Sequence, residues 1–252
     1  FHLSYRDLQV SSSMLQSISA SVSDFSVHAP ELFEEDHILD LASDNVSYRN
    51  KSIANLELVV DHVQRLRSIF GATDDTLLVI NVGGASDGGF VDPDFRSEFY
   101  DRVASGLNSV DFAGIRPVIQ TMPPFPWHFG GRRYHNLFIC PHEIRNFCER
   151  YDAEICLDVS HSSMACNYFG WDLPAFIAIV GEFVPYIHMS DSSGSDQEGL
   201  QIGAGTIEFS RVVESLKINC KSARFIPEIW QGHKNEGEGF WIALNRLERL
   251  GL

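Results

Sequence analysis

The sequence predicts an α/β fold, a (β/α)8 TIM barrel. Three observations predict it. Short β-rich runs alternate along the chain with longer segments of helical periodicity. The runs themselves are almost wholly apolar, as parallel strands covered by helices must be. The length, 252 residues, is that of one such barrel. An open doubly wound sheet is the rival, but no early strand leads into a G-x-G-x-x-G loop. The stretch "NVGGASDGG" (81–89) has the glycines without the spacing.

The elements follow in order. "FHLSYRD" (1–7) reads as a strand and 11–22 as a helix. "FSVHAP" (25–30) is a strand ending at His28. In "NKSIANLELVVDHVQRLRSIFG" (50–71), Ile53, Leu56, Val59, Val60, Val63, Leu66 and Ile69 fall at helical spacing, and Gly71 suits the C-cap. "TLLVINVGG" (76–84) is a strand closed by glycines, and 93–108 a helix. "RPVIQTM" (116–122) is a strand that runs into the loop "QTMPPFPWHFGGRRYHN" (120–136). Residues 141–151 form a helix, "EICLDVSH" (154–161) a strand and 172–183 a helix. "PYIHMSD" (185–191) is a strand, followed by a Gly/Ser loop and a helix near 207–218. "RFIPEIW" (224–230) is a strand, and "EGFWIALNRLERL" (238–250) the last helix. These are seven strands where a closed barrel has eight, so a first strand and helix are expected upstream of Phe1. Residues 1–252 are then a single barrel domain within a longer chain.

Composition narrows the function. The formal net charge of −15 argues against a nucleic-acid or anionic-membrane surface, where Lys and Arg must meet phosphates. No apolar run is long enough to span a bilayer, and no signal-peptide pattern opens the sequence. The five cysteines are odd in number and none form C-x-x-C, which fits a reducing, cytoplasmic setting. Cys156, inside an apolar run, reads as a small core residue.

Nearly every strand ends on a polar, ligand-capable side chain: His28, Asn81, Gln120, Asp158 with His161, His188 with Asp191, and Glu228. In a parallel barrel these ends meet at one mouth. Singly, each has a plain explanation. Asp158 would cap a following helix, and Asp191 would anchor its Ser/Gly loop. Together, Asp158, His188 and Glu228 form a hard donor set with one imidazole, suited to Mn²⁺, Mg²⁺, Co²⁺ or Zn²⁺.

The order and spacing of "VHAPE", "ICLDVSH", "YIHMSD", "IGAGTIEF" and "FIPEI" resemble the xylose-isomerase-like barrel superfamily. Its members are sugar and sugar-phosphate isomerases and epimerases, and its relatives include apurinic endonucleases. The resemblance covers most of the chain. It implies that Asp158, His188 and Glu228 match three of the four ligands of the single-metal epimerases. Gln120 stands at the fourth, a glutamate in the family. His161 matches a histidine that contacts substrate or metal, and His28 the strand-end histidine shared with the endonuclease branch. In the epimerases two ligand glutamates move a proton beside a carbonyl that the metal polarises. Gln120 can offer an oxygen but cannot take a proton, which leaves Glu228 or His161 for that task. The endonuclease branch has a histidine where this chain has Asn81, and Asp and His ligands where it has "QEGLQ". A three-zinc nuclease centre is therefore broken.

Two loops complete the expected site. The first brings Trp127, His128, Arg132 and Arg133, and the arginine pair suggests an anionic substrate. The second follows Glu228 with Trp230, His233 and Lys234 as sugar contacts. These loops, with "FHLSYRDL" and "VHAPELF", resemble the barrel module joined to sialic-acid-synthase-like proteins, which implies a synthase-like partner domain upstream and a role in surface-sugar biosynthesis. The leading expectation is a metal-dependent isomerase or epimerase acting on an anionic sugar or sugar acid, with homo-oligomers compatible. A sugar-acid-binding barrel without chemistry and a metal-dependent hydrolase are the alternatives.

Overall fold

Parallel strands followed by helices recur along the chain, as the alternating pattern predicts. The computed structural model describes residues 1–10, 12–16, 24–128 and 131–252, with the backbone alone at 12, 13, 127, 128, 131 and 132. These residues fall into two compact units, one of 1–84 with 92–119, the other of 85–91 with 120–252.

In the first unit, β1 (Ser26–His28) pairs with β2 (Thr76–Ile80), and β2 with β3 (Ile115–Gln120), all parallel. Every β2 side chain is buried, which explains its unbroken apolar run. Helix α1 (Val46–Phe70) is capped by Asn45, whose side chain accepts from Tyr48 N, and it ends at Gly71 in the left-handed conformation. Of the predicted stripe, Leu56, Val59, Val60, Val63 and Leu66 are buried, each contributing about 1.5–3 kcal/mol, while Ile53 and Ile69 are half-buried. Helix α2 (Pro93–Asn108) follows β2. The glycines that close β2 permit a close approach: a Cβ at Gly83 (φ +83) would lie 2.4 Å from Asp40 Oδ1.

The expected opening strand is reduced to one parallel bridge, His2 to His28. A 3₁₀ helix, Tyr5–Gln9, replaces the rest. The reason is local. Ser4 and Asp7 form a capping box, with Ser4 N donating to Asp7 Oδ2 at 2.7 Å, and that turns the chain out of extended geometry. Of the helix expected over 11–22, Ser12–Gln16 is helical, while 11 and 17–23 lie outside the described residues.

In the second unit, β4 (Glu154–Asp158), β5 (Tyr186–Met189) and β8 (Arg224–Pro227) pair in parallel, with Asp158 opposite His188 and Met189 opposite Pro227. Helix α3 (Pro141–Tyr151) precedes β4 as expected. The strand expected over 154–161 stops at Asp158, where α4 (Val159–Phe169) begins at once and runs to Gly170. This helix is absent from the sequence reading because its buried residues include Ser160, Ser162 and Ser163, so polar and apolar positions do not separate at helical spacing. Helix α5 (Leu173–Val180) comes next.

The Gly/Ser loop is an antiparallel hairpin, β6 (Asp191–Ser193) with β7 (Gln197–Leu200). Asp191 does anchor the chain there. Its carboxylate accepts from Gly203 N at 2.9 Å, Gly205 N at 2.8 Å and Ile207 N at 3.1 Å. Helices α6 (Phe209–Asn219) and α7 (Lys234–Arg249) follow. Asn235, Glu236 and Gly237 are left-handed, so regular α7 geometry starts at Glu238, as predicted. Among the described residues no helix is long and apolar enough to cross a membrane.

Candidate metal centre and active site

All groups described next belong to the second unit. Asp158 ends β4 and caps α4: its Oδ1 accepts from His161 N at 2.8 Å. One carboxylate thus terminates the strand, starts the helix and keeps its other oxygen, Oδ2, for the site. The strand register sets His188 beside it, both 1% exposed. Glu228 falls one residue past β8 and is held by its own N–H donating to Met189 O at 3.0 Å. One donor atom from each of Asp158, His188 and Glu228 lies within 4.8 Å of the others.

The contacts are dense. His188 Nδ1 lies 2.7 Å from Glu228 Oε2 and 3.9 Å from Asp158 Oδ2. Gln120 Nε2 donates to Asp158 Oδ2 at 2.9 Å and stands 3.2 Å from His188 Nδ1. His161 presents Nδ1 to Thr121 O at 2.9 Å and to Asp158 Oδ2 at 3.4 Å, while its Nε2 meets Glu198 Oε2 at 3.1 Å. The partners of both ring nitrogens only accept, so each nitrogen must carry a proton. Thr121 Oγ1 accepts from Asp158 N at 2.9 Å and lies 3.0 Å from Ser162 Oγ, which fixes the strand end.

Electrostatics follow from burial and these neighbours. Burial pushes the Asp158 carboxyl up to about 6; His161 opposes the shift and Glu228 adds to it. Burial alone would lower His161, but Asp158, Glu198 and Glu228 outweigh it and raise the imidazole to about 10. His188 is likewise raised well above its ordinary value, with Cys156 and Glu228 outweighing burial. A histidine raised on folding stabilises the fold fully below its unfolded value and ceases to do so as pH rises through the folded value. Metal-free protein is therefore expected to lose stability between pH 6.5 and about 10. Urea midpoints at pH 7 and pH 9.5 check this, and His161→Gln should flatten the difference.

The remaining expected contacts are distributed as follows. His28 and Asn81 belong to the first unit. His28 Nδ1 lies 2.8 Å from Ala29 O, and its ring stacks on His2 at 4.3 Å. Asn81 is buried, and its Oδ1 has no hydrogen-bond partner among the described residues. In the loop after Gln120, the backbones of Trp127–His128 and Gly131–Arg132 pair antiparallel. The side chains of Trp127, His128 and Arg132 lie outside the described residues. Arg133 Nε is ion-paired with Asp87 Oδ1 at 2.8 Å. Phe125 and Tyr134 pack with Phe90 and Tyr168, ring centroids 4.8–5.8 Å apart, and so belong to the loop's own packing. Trp230 is 78% exposed, His233 is exposed at the α7 N-cap, and Lys234 Nζ donates to Gln231 Oε1 at 2.9 Å.

Sequence reasoning missed Thr121 and Glu198. Thr121 was signalled by a polar pair, Gln120–Thr121, at the end of an apolar run. Glu198 lies in "QEGLQ", a segment noted only for the endonuclease ligands it lacks, and its hairpin has no apolar alternation.

Comparison with known proteins agrees with this geometry. The family model described as "Xylose isomerase-like TIM barrel" matches residues 6–249. The chain is similar to the crystal structure of a D-tagatose 3-epimerase-like protein (TM-score 0.68, 21% identity, 95% of this chain and 83% of that one). It is similar to D-psicose 3-epimerase solved with D-fructose (0.67, 16%, 98% and 86%). It is also similar to endonuclease IV from Thermus thermophilus (0.59, 19%, 98% and 83%). A curated relative, an uncharacterized protein of Methanocaldococcus jannaschii, is 24% identical over 134 residues, 50% of this chain. The matched part spans about 45% of that relative's length. Strand ends that carry Asp158, His188 and Glu228 to one place, on a chain matched over almost its whole length, lead to one conclusion: the chain belongs to the xylose isomerase-like TIM barrel family.

Proposed function

We propose that this chain is a divalent-metal-dependent sugar isomerase or epimerase that transfers a proton at a carbon beside a carbonyl. The observation that carries it is the convergence of Asp158, His188 and Glu228 donor atoms within 4.8 Å. Two carboxylates and one imidazole fit Mn²⁺, Mg²⁺, Co²⁺ or Zn²⁺. Gln120 reaches the same spot, and a half-turn of its amide presents Oε1 as a further neutral donor. A divalent cation held there supplies polarisation of the substrate carbonyl, which acidifies the neighbouring C–H.

The residues divide the remaining work. Of the two clustered carboxylates, Glu228, with 31% of its side chain exposed against 2% for Asp158, is the one a substrate can reach, and it takes the proton. His161, protonated on both nitrogens and bonded to Thr121 O and Glu198 Oε2, is not the base; it holds Glu198 at the edge of the site. Asp158 holds the two histidines and the helix start.

The surroundings favour a neutral sugar. Asp158, Glu198 and Glu228 place three carboxylates around two histidines, and the Arg133 charge is met by Asp87. With a divalent cation and the His161 imidazolium these three carboxylates are balanced, and the hydroxyls of a keto or aldo sugar suit such a site. The similar epimerases are named for D-tagatose and D-psicose.

The test is Mn²⁺- or Co²⁺-loaded protein incubated in D₂O with D-fructose, D-tagatose, D-psicose or L-ribulose. Proton NMR should show deuterium entering beside the carbonyl, and Glu228→Gln should stop it. Metal bound without exchange in any of these sugars would favour the binding-module reading, for which Gln120 in place of a second carboxylate is the supporting observation.

A further inference from the structure

Cys156 lies two residues before Asp158 on β4, so both side chains point to the same face of the strand. It is 0% exposed, and the register sets it opposite Tyr186 where Asp158 stands opposite His188, so its sulfur and the His188 ring share one buried face. The Nδ1 edge of that ring already meets Glu228 Oε2 at 2.7 Å, Gln120 Nε2 at 3.2 Å and Asp158 Oδ2 at 3.9 Å. That leaves Nε2 for the sulfur. Among the described residues Cys156 is not in the donor cluster itself, which holds Asp158, His188 and Glu228.

We infer that Cys156 is a positioning residue of the candidate metal centre: its sulfur accepts the Nε2–H of His188 and fixes the ring with Nδ1 turned toward Asp158 and Glu228. The inference rests on the metal reading above. A ligand histidine uses one nitrogen on the ion, and the hydrogen bond made by the other sets the tautomer and the ring angle. A carboxylate or carbonyl is the usual acceptor. Here the acceptor is a cysteine sulfur on the same strand face as Asp158. Tyr186, on the strand of His188, holds the ring from another side, edge-on with centroids 5.5 Å apart. Cys156 is therefore buried, as its sequence context predicts, but not an inert filler.

The probe is Mn²⁺ alone, titrated by calorimetry into the wild-type protein, Cys156→Ala and Cys156→Ser, with urea midpoints for each. Cys156→Ala should weaken Mn²⁺ binding about tenfold, while Cys156→Ser, which keeps an acceptor, should restore most of it. Co²⁺-loaded protein gives a second signature that loss of stability alone does not move. The hyperfine-shifted, exchangeable histidine N–H proton should persist in Cys156→Ser and vanish by solvent exchange in Cys156→Ala. Wild-type affinity and a retained N–H signal in Cys156→Ala would overturn the inference and leave the metal reading standing. A wild-type protein that takes up no Mn²⁺ would overturn both.

Discussion

Asp158→Ala is expected to abolish Mn²⁺ binding within the range of a calorimetric titration and to lower stability sharply. Three losses combine. The α4 cap disappears, at a cost of about 1 kcal/mol. The acceptor of the Gln120 amide goes with it. His161 and His188, both buried and both raised, lose their shared carboxylate. Removing one partner of a buried charge pair costs about 3–5 kcal/mol, so the urea midpoint should fall by a large fraction of the total. Asp158→Asn separates the effects. Its side-chain oxygen still accepts from His161 N, so the cap survives while the charge does not. Asn should therefore lie between wild type and Ala in stability, yet match Ala in metal uptake. Mn²⁺ affinity unchanged in both variants would refute the placement of the metal.

Gln120→Glu is expected to act in opposite directions on the free and the metal-loaded protein. The amide nitrogen sits 2.9 Å from Asp158 Oδ2, so a glutamate there brings two buried carboxylates together. Without a cation, one must hold a proton or both must be destabilised. The melting temperature of the metal-free variant should fall. With Mn²⁺, the same carboxylate becomes a fourth charged ligand, and affinity should rise by about tenfold or more, equivalent to about 1.4 kcal/mol. The gap in melting temperature between loaded and free protein should widen accordingly. Paired thermal scans with and without Mn²⁺ measure it. A gap no wider than that of wild type would mean that position 120 does not face the ion. If the variant also exchanges substrate protons faster than wild type, the neutral amide is what limits the natural chain.

The framework of the site was legible because it is local. An apolar run ending in a carboxylate, as at Asp158, advertises a burial cost that some partner must offset. Several such ends in a strand–helix alternation point to one mouth. The stop at Gly71, the buried β2 run and the helices over 93–108 and 141–151 also depend on nearby residues alone. What failed was set by packing. Helix α4 buries Ser160, Ser162 and Ser163, so no apolar stripe reveals it. The Ser4–Asp7 capping box competes with an opening strand and wins. The ion pair of Arg133 with Asp87, 46 residues away, likewise leaves no mark in the local pattern.

The sequence by itself determined the fold class and the order of the strands, and it singled out Asp158, His188 and Glu228 as candidates, since periodicity and residue chemistry are carried by neighbours along the chain. Only the tertiary structure decided the state of those donors. It made His161 a double donor between Thr121 and Glu198, set Gln120 against Asp158, and placed Cys156 against His188. Protonation and ring orientation depend on distances between residues far apart in sequence and on exclusion of water, neither of which a residue pattern records.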